Sequence, residues 1–262
     1  MNTSPANNPV RKIGLLVPCY VDQFYPGVAI ATLELLEKCG FEVVVPREQT
    51  CCGQPMANTG FEGDAIAAMH HQARLFAACD VVVCPSGSCT HFVRHHYHVA
   101  GEDAAIEHMR LQTVELCEFL VRYAPAGSLS TRFPFKTGLH QSCHGQRGLR
   151  ISSSSERVEP EFSHMKTLLQ QVEDIELMPL QRTDECCGFG GTFSVFEEAV
   201  SVRMGKDRLR DHLQSGVEVV TGGDVSCLMH LEGLVRREKL PLKVMHIAEI
   251  LNYAPREQEV RT

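Results

Sequence analysis

The chain has 262 residues, 44% hydrophobic and 22% charged, which excludes disordered and collagen-like chains and suffices for one large or two compact cores. Its 25 basic and 32 acidic side chains leave a net charge of −7, so the basic footprint that nucleic-acid binding requires is missing and no nucleic-acid partner is expected. The unusual counts are 12 cysteines and 13 histidines.

No basic region precedes the first apolar run, Ile13 to Val17, and no stretch approaches the apolar length of a membrane span. The expectation is a soluble, cytoplasmic protein. Thiols there stay reduced, so the cysteines suggest metal or redox chemistry more than a disulfide framework.

Apolar, β-branched runs at Ile13 to Val17, Phe41 to Val45 and Asp80 to Cys84 predict buried strands. Between and after them, Gly27 to Cys39, Gly60 to Cys79 and Asp103 to Tyr123 carry apolar residues at helical spacing. Strands alternating with helices imply a parallel sheet. Pro125 to Pro134 interrupts both periodicities and reads as a linker. The order then repeats, with strands expected near Phe135 to Leu139, Ile175 to Met178, Val217 to Thr221 and Lys243 to Met245. Gly145 to Ser163 reads as a mobile surface loop, and residues 1 to 10 and 256 to 262 as frayed tails.

Local identities support a duplication. Asp80 to Cys89 aligns without gaps on Glu218 to Cys227, sharing the Ser-Cys end, and Tyr123-Ala124-Pro125 recurs as Tyr253-Ala254-Pro255. The fold expected is α/β, with two homologous Rossmann-like lobes spanning 1–125 and 126–262, each a small mostly parallel sheet flanked by helices.

The cysteines follow the same duplication. Cys51-Cys52-Gly53 and Cys186-Cys187-Gly188 are each preceded by a lone cysteine past a strand, Cys19 or Cys143, and followed by the aligned Cys89 or Cys227. Chance supplies only about 0.04 Cys-Cys-Gly triplets at this composition, so two of them carry information. In an open parallel sheet, ligands bind beyond the carboxyl ends of the strands, and every one of these segments follows such an end. Four thiolates gathered there are soft donors suited to an iron–sulfur cluster or to tetrahedral zinc. Gly53, Gly188, Gly190 and Gly191 let the backbone pass close to a bulky ligand.

These duplicated segments resemble the cysteine-rich CCG domain family, found in heterodisulfide reductase B subunits and glycolate oxidase iron–sulfur subunits. Within it, Pro85 to Cys89, Cys186 to Ser194 and Ser226 to His230 resemble the L-lactate utilization protein A branch, and the likeness runs over roughly residues 12 to 253. The resemblance implies an iron–sulfur electron-transfer subunit of a complex oxidising L-lactate to pyruvate, acting beside a ferredoxin-like iron–sulfur subunit and a third lactate utilization protein. One departure matters. The fullest family motif ends Cys-x-x-Cys, whereas the last position here is Phe92 in lobe one and His230 in lobe two. Each lobe keeps four thiols, which puts a non-cubane cluster in doubt and leaves a four-iron, four-sulfur (4Fe–4S) cluster, one or two per chain, or zinc in one lobe. His230 could replace the missing donor; Phe92 cannot.

Other residues have plainer readings. Cys39, Cys79 and Cys117 sit at ends or apolar faces of helices and are expected in the core. Cys84 ends a strand and aligns with Gly222, so it is a possible ligand or a small buried residue. His70, His71, His95, His96 and His98 fit exposed or hydrogen-bonded positions on helices. His91, His140, His144 and His230 adjoin the cysteines and could tune a centre or move protons. Arg147 reads as a surface arginine, with pairing to a carboxylate substrate the sharper alternative. Gly188 to Thr192 fits no phosphate-binding pattern, and the chain has no flavin or nicotinamide fingerprint. Two rival functions follow from the same residues: thiol–disulfide chemistry of the heterodisulfide-reductase kind, and a zinc-stapled scaffold without redox activity.

Overall fold

A computed structural model describes residues 12–254; the expected tails at 1–10 and 256–262 lie outside the described residues. Eight short strands form two four-stranded, all-parallel sheets. The first contains β1 (Lys12–Leu15), β2 (Glu42–Val44), β3 (Val81–Cys84) and β4 (Thr113–Glu115), in the order β2-β1-β3-β4. The second contains β5 (Lys136–Leu139), β6 (Glu176–Leu177), β7 (Val219–Gly222) and β8 (Lys243–His246), in the order β6-β5-β7-β8. The two orders are the same, so the duplication read from Ser-Cys and Tyr-Ala-Pro extends to strand topology, and the two Rossmann-like lobes are present.

Central strands are the apolar ones. All four residues of β3 and of β7 are buried, because helices cover both faces of a parallel sheet and leave no side for water. Helices Pro26–Lys38 and Glu62–Phe76 connect strands of the first sheet, and Glu198–Gln214 and Val225–Glu238 those of the second. Register is continuous across each sheet, with Ile13 opposite Val43 and Val81, and Thr137 opposite Leu177 and Val219.

One expectation is corrected here. Asp103 to Tyr123 is not a continuous helix: it divides into helix Ala104–Gln112, strand β4 and helix Leu116–Tyr123. The β-branched pair Thr113-Val114 lies opposite Val82 and Val83, and this pairing outweighs the helical spacing on either side. A three-residue strand offers too little alternation to be read against flanking helices.

The lobes are packed into one another. A single buried cluster joins Ile13, Leu35, Leu36, Phe119 and Leu120 of the first half to Leu168, Leu169, Val219, Ile247 and Ile250 of the second. Each such side chain contributes about 1.5–3 kcal/mol on burial, so this shared core holds the relative placement of the two sheets. The loop expected to be mobile, Gly145 to Ser163, begins in a turn over His144–Gly148 and is pinned at both ends. Ile151, Ser152 and Ser163 are buried, and the Ser153 amide donates to the Phe162 carbonyl at 2.9 Å.

Candidate metal centre

The carboxyl ends of both sheets face one cleft. Its cavity of about 390 Å³ is lined by Cys19, Cys52 and Cys89 from the first lobe and by Cys143, Cys186, Cys187 and Cys227 from the second. Cys19 and Cys143 each begin a short helix or turn just beyond β1 or β5. Cys89 and Cys227 lie in the first turn of helices Gly87–His96 and Val225–Glu238, whose N-caps Ser86 and Asp224 are equivalent in the repeat.

Within each lobe the four thiols are in contact. Cys19 meets Cys51, and Cys52 lies 3.6 Å from Cys89, sulfur to sulfur. In the second lobe Cys143 meets Cys186, Cys186 meets Cys187, and Cys187 meets Cys227. Packed thiols cannot all ionise together. Hydrogen bonds from Cys19 and Cys52 hold Cys51 well below the usual thiol range, and the same contact plus burial pushes Cys19 up. Cys186 is held down by Cys143 and Cys187 in the same way, and Cys143 is pushed up.

The glycine of each tripeptide has a defined task. Gly53 and Gly188 stand at φ +97° and +89°, where their amides turn back on Cys51 Sγ at 3.4 Å and Cys186 Sγ at 3.3 Å. The approach to the second doublet is held by a buried pair, Arg208 and Asp211, at 2.5 Å. Asp211 accepts the Gln181 and Arg182 amides at 3.0 Å each, and Arg208 donates to the Arg182 carbonyl.

A model of the cysteine-rich CCG domain matches residues 13–94 and 137–232. Lactate utilization protein A of Exiguobacterium sp. is 39% identical over 246 residues, covering 92% of this chain and 96% of that protein. The protein of the same name from Geobacillus thermodenitrificans is 38% identical over 246 residues, covering 92% and 99%. The chain belongs to the CCG family, in its lactate utilization protein A branch. Among solved structures, an aspartate racemase homologue from Pyrococcus horikoshii OT3 aligns over 92% of this chain and 96% of its own at 14% identity and a TM-score of 0.29, too loose a likeness to argue from.

The CCG-family residues read from the sequence divide as follows. Cys19, Cys51, Cys52 and Cys89 come together, as do Cys143, Cys186, Cys187 and Cys227. Cys84 is buried beside Cys89. Cys39, Cys79 and Cys117 lie in the hydrophobic cores, as expected. His230 lies tilted beside Phe189, with ring centroids 6.2 Å apart, and sets its Nε2 3.4 Å from the Ser201 carbonyl. His144 reaches the cleft and packs on His91, with ring centroids 5.1 Å apart. Arg147 is engaged by Glu156 and, at 3.7 Å, by Asp184.

The histidine nearest the second set of thiols is His140. One of its ring nitrogens and the thiols of Cys187 and Cys227 all lie within 4.8 Å of one another. His140 is 2% exposed, and neither ring nitrogen has a hydrogen-bond partner among the described residues. Burial, reinforced by the Arg208 charge, brings its pKa down to about 4, so the ring is neutral at pH 7. Spacing alone does not distinguish His140 from His144. The signal that does is the repeat itself: Lys12-Ile-Gly-Leu-Leu-Val-Pro-Cys19 aligns with Lys136-Thr-Gly-Leu-His-Gln-Ser-Cys143, which puts His140 opposite Leu16.

Thiols in mutual contact, with a neutral and unpartnered imidazole beside them, form a soft donor set. They fit an iron–sulfur cluster or zinc, and they lack the oxygen ligands that calcium or magnesium would demand.

Proposed function

We propose that this chain is the iron–sulfur electron-transfer subunit of a system that oxidises L-lactate to pyruvate, working beside a ferredoxin-like iron–sulfur subunit and a third lactate utilization protein. In this reading residues 1–125 and 126–262 are two cysteine-rich lobes. Cys143, Cys186, Cys187 and Cys227 hold one centre, and Cys19, Cys51, Cys52 and Cys89 the other. A bound 4Fe–4S cluster would supply reversible one-electron transfer, chemistry that no side chain here can perform alone.

The observation that carries the proposal is that both sets of thiols open on a single cleft between the lobes. Two centres facing one space can exchange electrons with each other and with a partner docked at its mouth. The cleft also argues for relay over substrate oxidation. Among the described residues its lining includes no lysine or arginine, and its buried ionisable acid is Asp224. A lactate carboxylate placed there would have no lysine or arginine side chain in the lining to pair with. Arg147, the candidate carboxylate partner, is committed to Glu156 and Asp184. The names of the relatives support lactate utilization.

Anaerobic purification with iron, acid-labile sulfide and zinc analysis tests the reading, together with EPR after reduction. Iron and sulfide are expected in equal amounts, with a signal on reduction. Cys186→Ser and Cys187→Ser should each lose the second centre and growth on lactate. Unchanged metal content in both variants sinks the assignment. A colourless protein with zinc alone would replace electron transfer with a stapled scaffold, and disulfide turnover by the isolated protein would favour the heterodisulfide-reductase kind of chemistry.

A further inference from the structure

The two lobes share strand order, N-cap positions and the Cys-Cys-Gly turn, yet differ at two places beside the sulfurs. At the end of β3 the first lobe has Cys84, buried against Cys89, where the second has Gly222. Just past β1 the first lobe has Leu16, 1% exposed and packed in the same cluster as Cys52, Cys84 and Cys89, where the second has His140. Each lobe therefore has one extra donor, at a different position and of a different kind.

The exchange is sterically linked. A Cβ placed on Gly222 would lie 2.7 Å from the His140 carbonyl oxygen, so the second lobe has no room for a cysteine at the Cys84 position. Its extra donor must come from the end of β5 instead. His140 is suited to that position: it is fully enclosed, and one ring nitrogen shares a 4.8 Å neighbourhood with Cys187 and Cys227. A buried imidazole with no hydrogen-bond partner is costly to leave unsatisfied, and bonding one ring nitrogen to a metal removes the cost at that nitrogen. Lack of a partner is not sufficient by itself, because buried His212 also has none. What sets His140 apart is its position against two thiols.

We propose that His140 is a direct nitrogen ligand of the centre in the second lobe, which is therefore a mixed imidazole–thiolate site, while the first lobe holds an all-sulfur one. This rests on the reading that the second-lobe thiols bind a metal. A harder nitrogen donor in place of sulfur lowers the negative charge around a centre and raises its potential, so the two centres would differ in potential, with electrons favoured on the second lobe.

The test is X-ray absorption at the edge of whichever metal is bound, on the anaerobic full chain with the first lobe disabled by Cys52→Ser and Cys89→Ser. The same measurement on the unaltered chain guards against misfolding of that variant. The expected spectrum has a nitrogen shell at about 2.0 Å beside sulfur at about 2.3 Å. His140→Leu, the residue of the first lobe, should lose the nitrogen shell and weaken metal retention against a chelator about tenfold or more. His140→Cys should restore retention with sulfur alone, and His230→Leu should change neither. An all-sulfur shell with metal bound overturns the proposal while leaving the metal-centre reading intact. So does a nitrogen shell that survives His140→Leu. Absence of metal from the unaltered chain overturns both.

Discussion

At the residue scale, the Cys-Cys-Gly turn explains why the third position favours glycine, more strictly in the second lobe than in the first. An L side chain at positive φ costs about 1–2 kcal/mol before any contact is counted. A Cβ on Gly53 would also press on Ala65 Cβ at 3.2 Å, a neighbour that can give slightly. One on Gly188 would lie 2.5 Å from the Ser201 carbonyl and 2.8 Å from Met204 Cβ, on helix Glu198–Gln214, which cannot move without disturbing its own hydrogen bonds. Gly53→Ala should therefore cost about 1–2 kcal/mol and Gly188→Ala at least about 3 kcal/mol, with metal lost from the second lobe first. Chemical unfolding and metal analysis of the two variants check the order; equal stability would contradict the steric account. The tripeptides were legible from the sequence because three rare residues recur together. His140 stands in the sequence only as one of four histidines beside the cysteines that could tune a centre, since a lone histidine three residues before a cysteine has no periodicity to mark it as a ligand. Only its alignment with Leu16, once the strands fix the repeat, shows that a donor has replaced an apolar side chain.

Among the elements, the N-caps of the two equivalent helices have diverged in a way that joins the lobes. Ser86 caps helix Gly87–His96 by accepting the Cys89 amide at 3.3 Å. Its counterpart Asp224 caps Val225–Glu238 through the Ser226 amide and also reaches into the first lobe, accepting the Ser88 amide at 2.7 Å and the Ser88 hydroxyl at 3.2 Å. One buried carboxylate thus ties the turn bearing Cys89 to the turn bearing Cys227. The backbone adds a second tie, from the Gly87 amide to the Gly223 carbonyl at 3.3 Å. Ser86→Ala should cost about 1 kcal/mol, as for a lost cap. Asp224→Ala should cost about 2–4 kcal/mol, because it also strands a buried amide across the interface. Urea unfolding of both variants measures the difference, and equal losses would mean that Asp224 acts as a cap alone. The strands at these turns were readable as β-branched runs, to within a residue or two at each end. β4 escaped because three residues between two helices are defined by pairing with β3, a contact distant in sequence.

For the whole molecule, the joint between the lobes makes stability depend on pH in a predictable way. Glu115 caps helix Leu116–Tyr123 at the end of β4, and its Oε1 lies 3.2 Å from where a side chain on Gly223 of the other lobe would begin. Complete burial raises its pKa to about 8 despite hydrogen bonds from the Glu118 and Cys117 amides, which favour the charged form, while Glu118 nearby opposes it. The folded protein therefore holds this proton where the unfolded chain, with an ordinary carboxyl near 4.5, has released it. The stabilisation is complete below about pH 4.5 and is lost as pH rises through about 8. His246, at the corresponding cap of the second lobe, works in the opposite direction: burial lowers it to about 4, so the folded state resists a proton that the unfolded chain accepts below about 6.5. Its contribution is present at neutral pH and lost as pH falls from about 6.5 through about 4. Stability should accordingly peak in mildly acidic to neutral solution and decline on both sides, by a few kcal/mol for full ionisation of Glu115. Glu115→Gln should remove most of the decline between about pH 6.5 and 8 and steepen the rise between about pH 4.5 and 6.5, where the Glu115 and His246 contributions oppose one another, as read by urea midpoints from about pH 4 to 9. If the alkaline limb persists in the Gln variant, the proton at the joint between the lobes is not held by Glu115.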